Sequence, residues 1–146
     1  MFNDTITVFN RYSSRLGDTW YPSVVSGVNL LIDKAAIQAK LGPESSESAI
    51  LNVHCQIKGN VARIGGKEYL PPKAWSEQLN ADLANTITFN AGTDFFMLGE
   101  YDETPINDDD YADGFFNYMN SEKDYVFIVS SAALYRTIPH FEVMGK

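Results

Sequence analysis

TITVFNRYSSRLGDTWYPSVV, residues 5–25, decides the fold. In TITVFNRY, Ile6, Val8 and Asn10 fall on one side of an extended chain and Thr7 and Phe9 on the other. SSRLGD is turn chemistry, with Gly17-Asp18 at its tip, and TWYPSVV resumes the β pattern. The stretch therefore predicts a β-hairpin with a long loop. Pro22 has no N–H for a ladder, so the second strand is expected to be an edge strand or to bend there.

Working outward, GVNLLID (27–33) is a third short strand and KAAIQAKL (34–41) has helical propensity. GPESSES (42–48) reads as a flexible loop, AILNVHCQI (49–57) as a strong strand, and 60–64 as a weaker one before the Gly65-Gly66 turn. Pro71-Pro72 suits the entry to a helix of about two turns over 73–79, with Trp75 and Leu79 on one face. TITFN and DFFMLGEY, on either side of Ala91-Gly92-Thr93, predict a hairpin. DETPINDDDYADG (102–114) is acidic and lacks apolar periodicity, which predicts a long flexible loop. A short helix is expected to begin at Phe115–Met119, YVFIVSSAALYRT starts as a strand, and HFEVMGK alternates as another. Short strands with one or two short helices give a mainly β fold, a small β-barrel or sandwich forming a single domain over 1–146.

The chain has 146 residues, which fits one domain, and 45% hydrophobic with 21% charged residues excludes disorder along the whole length. Nineteen acidic against eleven basic residues give a net charge of −8 with no basic run. Unless the few cations cluster in space, that balance argues against general binding to a nucleic-acid backbone, which needs Lys and Arg to displace counterions. A single cysteine, Cys55, offers no disulfide framework. The opening MFNDTITVFNRY has an acid at position 4 and no apolar core, so no secretory signal is expected, and no apolar stretch approaches membrane-spanning length.

No site of familiar chemistry emerges from the spacing. His54 and Cys55 are adjacent and would point to opposite faces of a strand, and no C-x-x-C, H-x-x-x-H or H-E-x-x-H pattern exists. Counted from Asp109, the acidic run places Asp113 and Gly114 at positions 5 and 6 of a calcium loop. Tyr111 then stands at position 3 and Asn120 at position 12, where a bidentate Glu is needed. A Cys55–His140 pair is the remaining nucleophilic candidate, with Cys55 mid-strand and far from any helix N-terminus. No cofactor and no catalytic apparatus are expected.

The excess lies in aromatics: nine Phe, eight Tyr and two Trp. Trp20-Tyr21 and Phe95-Phe96 put rings on both faces of a strand. Either one face is core while the other meets a partner, or both faces are covered within the chain. The candidate interaction residues are Trp20, Tyr21, Trp75, Phe95 and Phe96.

The ordered segments ITVFNRY (6–12), DTWYPSVVSGVNL (18–30), YLPPKAWSEQL (69–79), ITFNAGTDFFMLGEYDE (87–103) and KDYVFIVSSAALYRTIPHFEVMGK (123–146) carry a resemblance, with YLPPKAW and HFEVMGK its most specific parts. In them the chain resembles small virion proteins of tailed bacteriophages of Gram-positive hosts, from the module near the portal and capsid genes. SSAALYRT departs from the more polar, turn-rich hairpin of that pattern. The resemblance implies a neck protein, a head-tail connector of the stopper or head-completion type. It implies a β-barrel subunit, monomeric when purified alone, that forms a ring below the portal and joins head to tail. Its implied partners are like subunits, the portal-side connector and tail proteins, with DNA only passing through the lumen and no membrane. The implied place is the virion, assembled in the host cytoplasm. Asp102, Glu103, Asp108, Asp109, Asp110 and Asp113 would face that channel, where like charge lets DNA slide. The edge at Trp20–Val25 would add to a neighbour's sheet. A tail terminator or tail-completion protein of the same module is the first alternative, and a small carbohydrate- or ligand-binding β-module the second. A concave surface carrying Trp20, Tyr21 or Trp75 would favour the latter.

Overall fold

The structure is a computed structural model and describes residues 2–33 and 48–146. The helix expected over 34–41 and the loop expected over 42–48 lie outside the described residues except for Ser48, which is buried and bonds through its backbone to Asp33 and Gly145. The opening hairpin is present: β1 (Asp4–Ser14) pairs antiparallel with β2 (Gly17–Ile32), from Ser14 opposite Gly17 down to Asp4 opposite Val28. Its tip is only Arg15 and Leu16, shorter than the predicted loop. The strands extend through the polar residues because Arg11 donates to Asp18 through Nε at 2.7 Å, joining the two chains just below the tip. Gly17 takes φ +118°, and a Cβ there would stand 2.7 Å from a carboxylate oxygen of Asp109, so glycine is required on both counts.

The remaining long strands are β3 (Ala49–His54), β8 (Phe95–Leu98), β10 (Val126–Tyr135) and β11 (His140–Gly145). Among the described residues, β1, β2, β3, β11, β10 and β8 pair successively, and β8 pairs back to β1, every pairing antiparallel. The sheet is therefore closed on itself, and the mainly β, barrel-like fold is the observed one. Closure needs strands that serve two parts of the sheet. β2 pairs with β1 up to Val28 and with β3 from Asn29, while β10 pairs with β8 through Ile128 and with β11 from Val129. Register shifts at Asp4/Thr5 and Val129/Ser131 mark those corners. Pro22 lies in the stretch of β2 that, among the described residues, has no strand on its far side, where a residue without an N–H costs no ladder bond.

The barrel interior follows the two-residue period of its strands: Ile6 and Val8, Leu51 and Val53, Phe127 and Val129, Phe141 and Val143, with Phe96 between. Gly145 sits in this interior, where a Cβ would come within 2.8 Å of both Phe127 Cβ and Phe96 Cζ. Gly145→Ala is expected to cost about 1–3 kcal/mol by overpacking. Urea denaturation will show this as a lower midpoint with an unchanged slope.

A second, smaller sheet caps the core. β4 (Gln56–Lys58), β5 (Val61–Ile64) and β6 (Lys67–Tyr69) are antiparallel, and β7 (Thr86–Ile87) joins β6 in parallel. The crossover contains α1 (Pro72–Ser76) and α2 (Asn80–Leu83). Ala62, Ile64, Ile87 and Phe89 complete the barrel core, with Tyr69 and Phe89 against Phe141 at 4.5 and 5.4 Å between ring centres.

Two sequence expectations fail here. TITFN does not pair with DFFMLGEY: β7 belongs to the small sheet and β8 to the barrel. β8 instead pairs with β1 and β10, and its two faces are covered separately, Phe96 by the barrel interior and Phe95 by the outer cluster. The helix expected over 73–79 stops at Ser76, because the Gln78 side chain donates to Trp75 O and Thr86 Oγ1 and turns the chain away. Leu79 consequently leaves the face of Trp75 and is 77% exposed.

Candidate interaction surfaces

The outer face of the barrel carries a second apolar cluster: Phe9, Trp20, Phe95, Met97 and Val126. Residues 101–122 cover it. This segment contains β9 (Ile106–Asn107), a 3-10 turn (Asp108–Asp110) and α3 (Phe115–Glu122), which lays Phe115 and Met119 onto the cluster. Phe9 stacks on Phe95 at 4.5 Å, Trp20 meets Phe95 edge-on at 4.9 Å, and Phe115 stands 5.4 Å from Phe9. Of the two readings of the paired aromatics, coverage within the chain is the observed one. Trp20 is 1% exposed, and Trp75, Phe95 and Phe96 are equally buried. These four are corrected from interaction candidates to core residues, because each contributes its ring to closing an apolar layer of its own chain. Only Tyr21 stays half-exposed.

The acidic stretch 102–114 is likewise not a free loop. Asp108 accepts from Trp20 Nε1 at 2.8 Å and from the Phe115 amide at 2.9 Å, so it ties the cover to the barrel and starts α3. Burial pushes its carboxyl up, but those two donors and nearby Arg11 outweigh burial and hold it below the usual range. Glu103 accepts from the Val24 amide at 3.1 Å and lies 3.6 Å from Lys67 Nζ. Asp102 accepts from the Thr104 amide at 2.8 Å. Asp109, Asp110 and Asp113 are exposed. The supposed docking edge at Trp20–Val25 is correspondingly occupied, by β9 at Thr19–Trp20 and by Glu103 at Val24.

Two buried polar groups escaped the sequence reading. Asp94 accepts from the amides of Arg11 and Asn90, both at 2.9 Å, and from Asn10 Nδ2 at 2.8 Å. Asn10 also bonds the backbone of Thr88 in both directions. The Asp94 backbone in turn accepts from Val129 at 2.9 Å. The turn at 90–94 thus plugs the gap between β1 and β10, with Asp94 as its rivet. Burial raises this carboxyl to about 6 against the pull of the three donors. The legible signal was an acid at the head of FFML, a carboxylate entering a strand with both faces buried.

Lys67 Nζ lies 2.8 Å from Ser23 Oγ, the spacing of a nucleophile and its base. Ser23 is only 2% exposed, so no substrate reaches it; the pair fastens the small sheet to β2. Desolvation lowers the Lys67 pKa, partly offset by Glu103. Cys55 packs against the barrel core, and burial raises its thiol pKa despite Arg136 nearby. His140 stands opposite His54, with Nδ1 2.7 Å from Ile138 O. Cross-strand partners share a side, which puts the His140 ring on the side of His54 and not of Cys55. Among the described residues no three His, Cys, Asp or Glu side chains converge to hold a metal ion, and no helix is long and apolar enough to cross a membrane.

Apolar side chains stand exposed at two hairpin tips, and one strand edge is open among the described residues. Leu16, at the β1–β2 tip, is 95% exposed, and Ile138, at the β10–β11 tip, is 71% exposed. Next to Ile138, β10 pairs with β11 through Tyr135 but with β8 only through Ile128. Its far edge at Ser131, Ala132 and Ala133 is exposed, and among the described residues no strand pairs with it. This is the SSAALYRT stretch: small side chains let a partner backbone approach.

The fold defines a closed antiparallel β-barrel with a small capping sheet and an apolar annex on its outer wall. The chain belongs to DUF6751, a family of unknown function, whose pattern matches residues 1–146. No curated protein and no solved structure matches it.

Proposed function

We propose that this protein is a structural subunit of a bacteriophage neck, joining head to tail in a ring below the portal through protein–protein contacts. The observation that carries assembly is the edge of β10 at Ser131–Ala133, which no strand among the described residues pairs, running into the Arg136–Pro139 turn with Ile138 in solvent. An unpaired edge is a template for a further strand, and natural chains normally blunt it with charge or proline. Here it is lined by Ser131, Ala132 and Ala133. The Leu16 tip supplies a second, separate patch, and two unlike patches per subunit are what a closed ring of heterologous contacts needs. The phage setting rests on the resemblance in sequence. In that ring the exposed Asp109, Asp110 and Asp113 line the DNA passage.

The test is addition of purified protein to portal-bearing, tailless heads, followed by light scattering. Wild type is expected to add mass to the heads. Ala133→Lys combined with Ile138→Asp is expected to keep the melting temperature within about 2 °C, since both sites are exposed, and to lose the added mass. No association of wild type with such heads would sink the proposal.

A further inference from the structure

Tyr12 and Tyr21 lie on one face of the β1–β2 hairpin, diagonal to each other, since Tyr12 opposes Thr19 and Tyr21 opposes Asn10. Behind them stands Trp75 of α1, edge-on to both rings at 6.4 and 6.0 Å and at 71° and 75°. This wedge fixes the tilt of both tyrosines. Its indole N–H is buried and has no hydrogen-bond partner among the described residues, a loss of roughly 1–3 kcal/mol. The two rings line a cleft of about 480 Å³ together with Arg15, Thr19, Asn80 and Asn107. That volume falls in the range of small-molecule sites, roughly 300–1,000 Å³.

The chemistry of the walls identifies the ligand class. The Tyr12 and Tyr21 hydroxyls, the Arg15 guanidinium and the Asn80 amide have no hydrogen-bond partner among the described residues. Directional donors and acceptors around a pair of held aromatic rings match a ring that is apolar on its C–H face and hydroxylated at its rim. The two tyrosines, being rigid and amphipathic, give contact area at low entropic cost. Arg15 is the cleft's one cation among its described lining residues, so a carboxylate substituent is accepted as well. We infer that the cleft between the β1–β2 tip, Asn80 and Asn107 binds a pyranose sugar, stacked on Tyr12 and Tyr21 and hydrogen-bonded by Arg15 and Asn80. The cleft lies apart from the β10 edge but shares Leu16 with the tip patch, so sugar binding is tested on the free subunit.

Titration of the ¹⁵N-labelled full chain with glucose, galactose, N-acetylglucosamine and glucuronate tests it. At least one sugar is expected to shift the amides of residues 12–21, 80 and 107 saturably, with Kd on the order of 1–10 mM. Tyr21→Ala is expected to weaken that binding about tenfold or more. Arg15→Ala and Asn80→Ala, both exposed and unpartnered, leave folding intact and are expected to weaken it about threefold or more. Shifts that stay linear to about 50 mM with all four sugars overturn the inference. So does saturable binding that the Arg15 and Asn80 variants leave unchanged, or occupation of the cleft only by a loop of a neighbouring protein.

Discussion

Asp94→Ala is expected to destabilise the protein by roughly 3–6 kcal/mol, because it removes the shared acceptor of the part-buried Arg11 and Asn90 amides and of the buried Asn10 Nδ2, which keeps only its bond to Thr88 O. For a chain of this size the melting temperature falls on the order of 10–20 °C. The turn at 90–94 holds β8 in place between β1 and β10, so the loss is cooperative and not a local fraying. The same residue governs an acid-side feature of the stability curve. Its folded pKa, about 6, exceeds the ordinary 3.8, so the folded state binds this proton more readily. The contribution is full below the ordinary value and is lost as pH rises through about 6. The gap of about two units corresponds to roughly 3 kcal/mol. Asp108 acts with the opposite sign: its stabilisation is present above the ordinary carboxyl value and is lost as pH falls through its lower folded value. The two windows do not overlap. Urea midpoints between pH 4 and 7 will separate them, since the slope in that interval should vanish in Asp94→Asn. A slope retained in that variant would remove Asp94 as its cause.

Trp20→Ala is expected to cost about 3–5 kcal/mol and to loosen one layer selectively. The ring fills the outer cluster between Phe95 and Phe115, and the Arg11 guanidinium lies over it at 5.4 Å. Its N–H holds Asp108, which also receives the first amide of α3. Losing the indole empties the space beneath residues 101–122 and frees the carboxylate that anchors them. Hydrogen exchange is expected to rise at least about tenfold over 101–122, with the interior strands β3 and β11 still protected, as expected for a cooperative unit less stable than the whole. Trp20→Phe separates the two contributions. It keeps most of the ring but removes a hydrogen bond to a charged acceptor, for roughly 1.5–3 kcal/mol. Uniform deprotection of barrel and cover together would contradict this layered picture.

Period-2 alternation made the β1–β2 hairpin legible, as it did HFEVM in β11, because each of those strands places a run of side chains on a single continuous interior. The same rule misassigned TFNAGTDFFML. A strand apolar on both faces carries no alternation, and nothing local distinguishes a hairpin turn from a turn that hands the chain from one sheet to another. The cleft at Tyr12 and Tyr21 was only half visible: Tyr21 stood out as an aromatic, whereas Arg15, Asn80 and Asn107 come from three separate parts of the chain.

By itself the sequence determined a mainly β chain, its opening hairpin, the acidic balance and the lack of any familiar catalytic or metal spacing. These are properties of composition and of neighbours a few residues apart. The tertiary structure alone decided that the sheet closes, that the DDD segment is a lid pinned by Asp108, and that four of five prominent aromatics are core. Burial is set by what the rest of the chain lays over a side chain, and here the cover of Trp20 and Phe95 arrives from residues 101–122, up to about a hundred positions away.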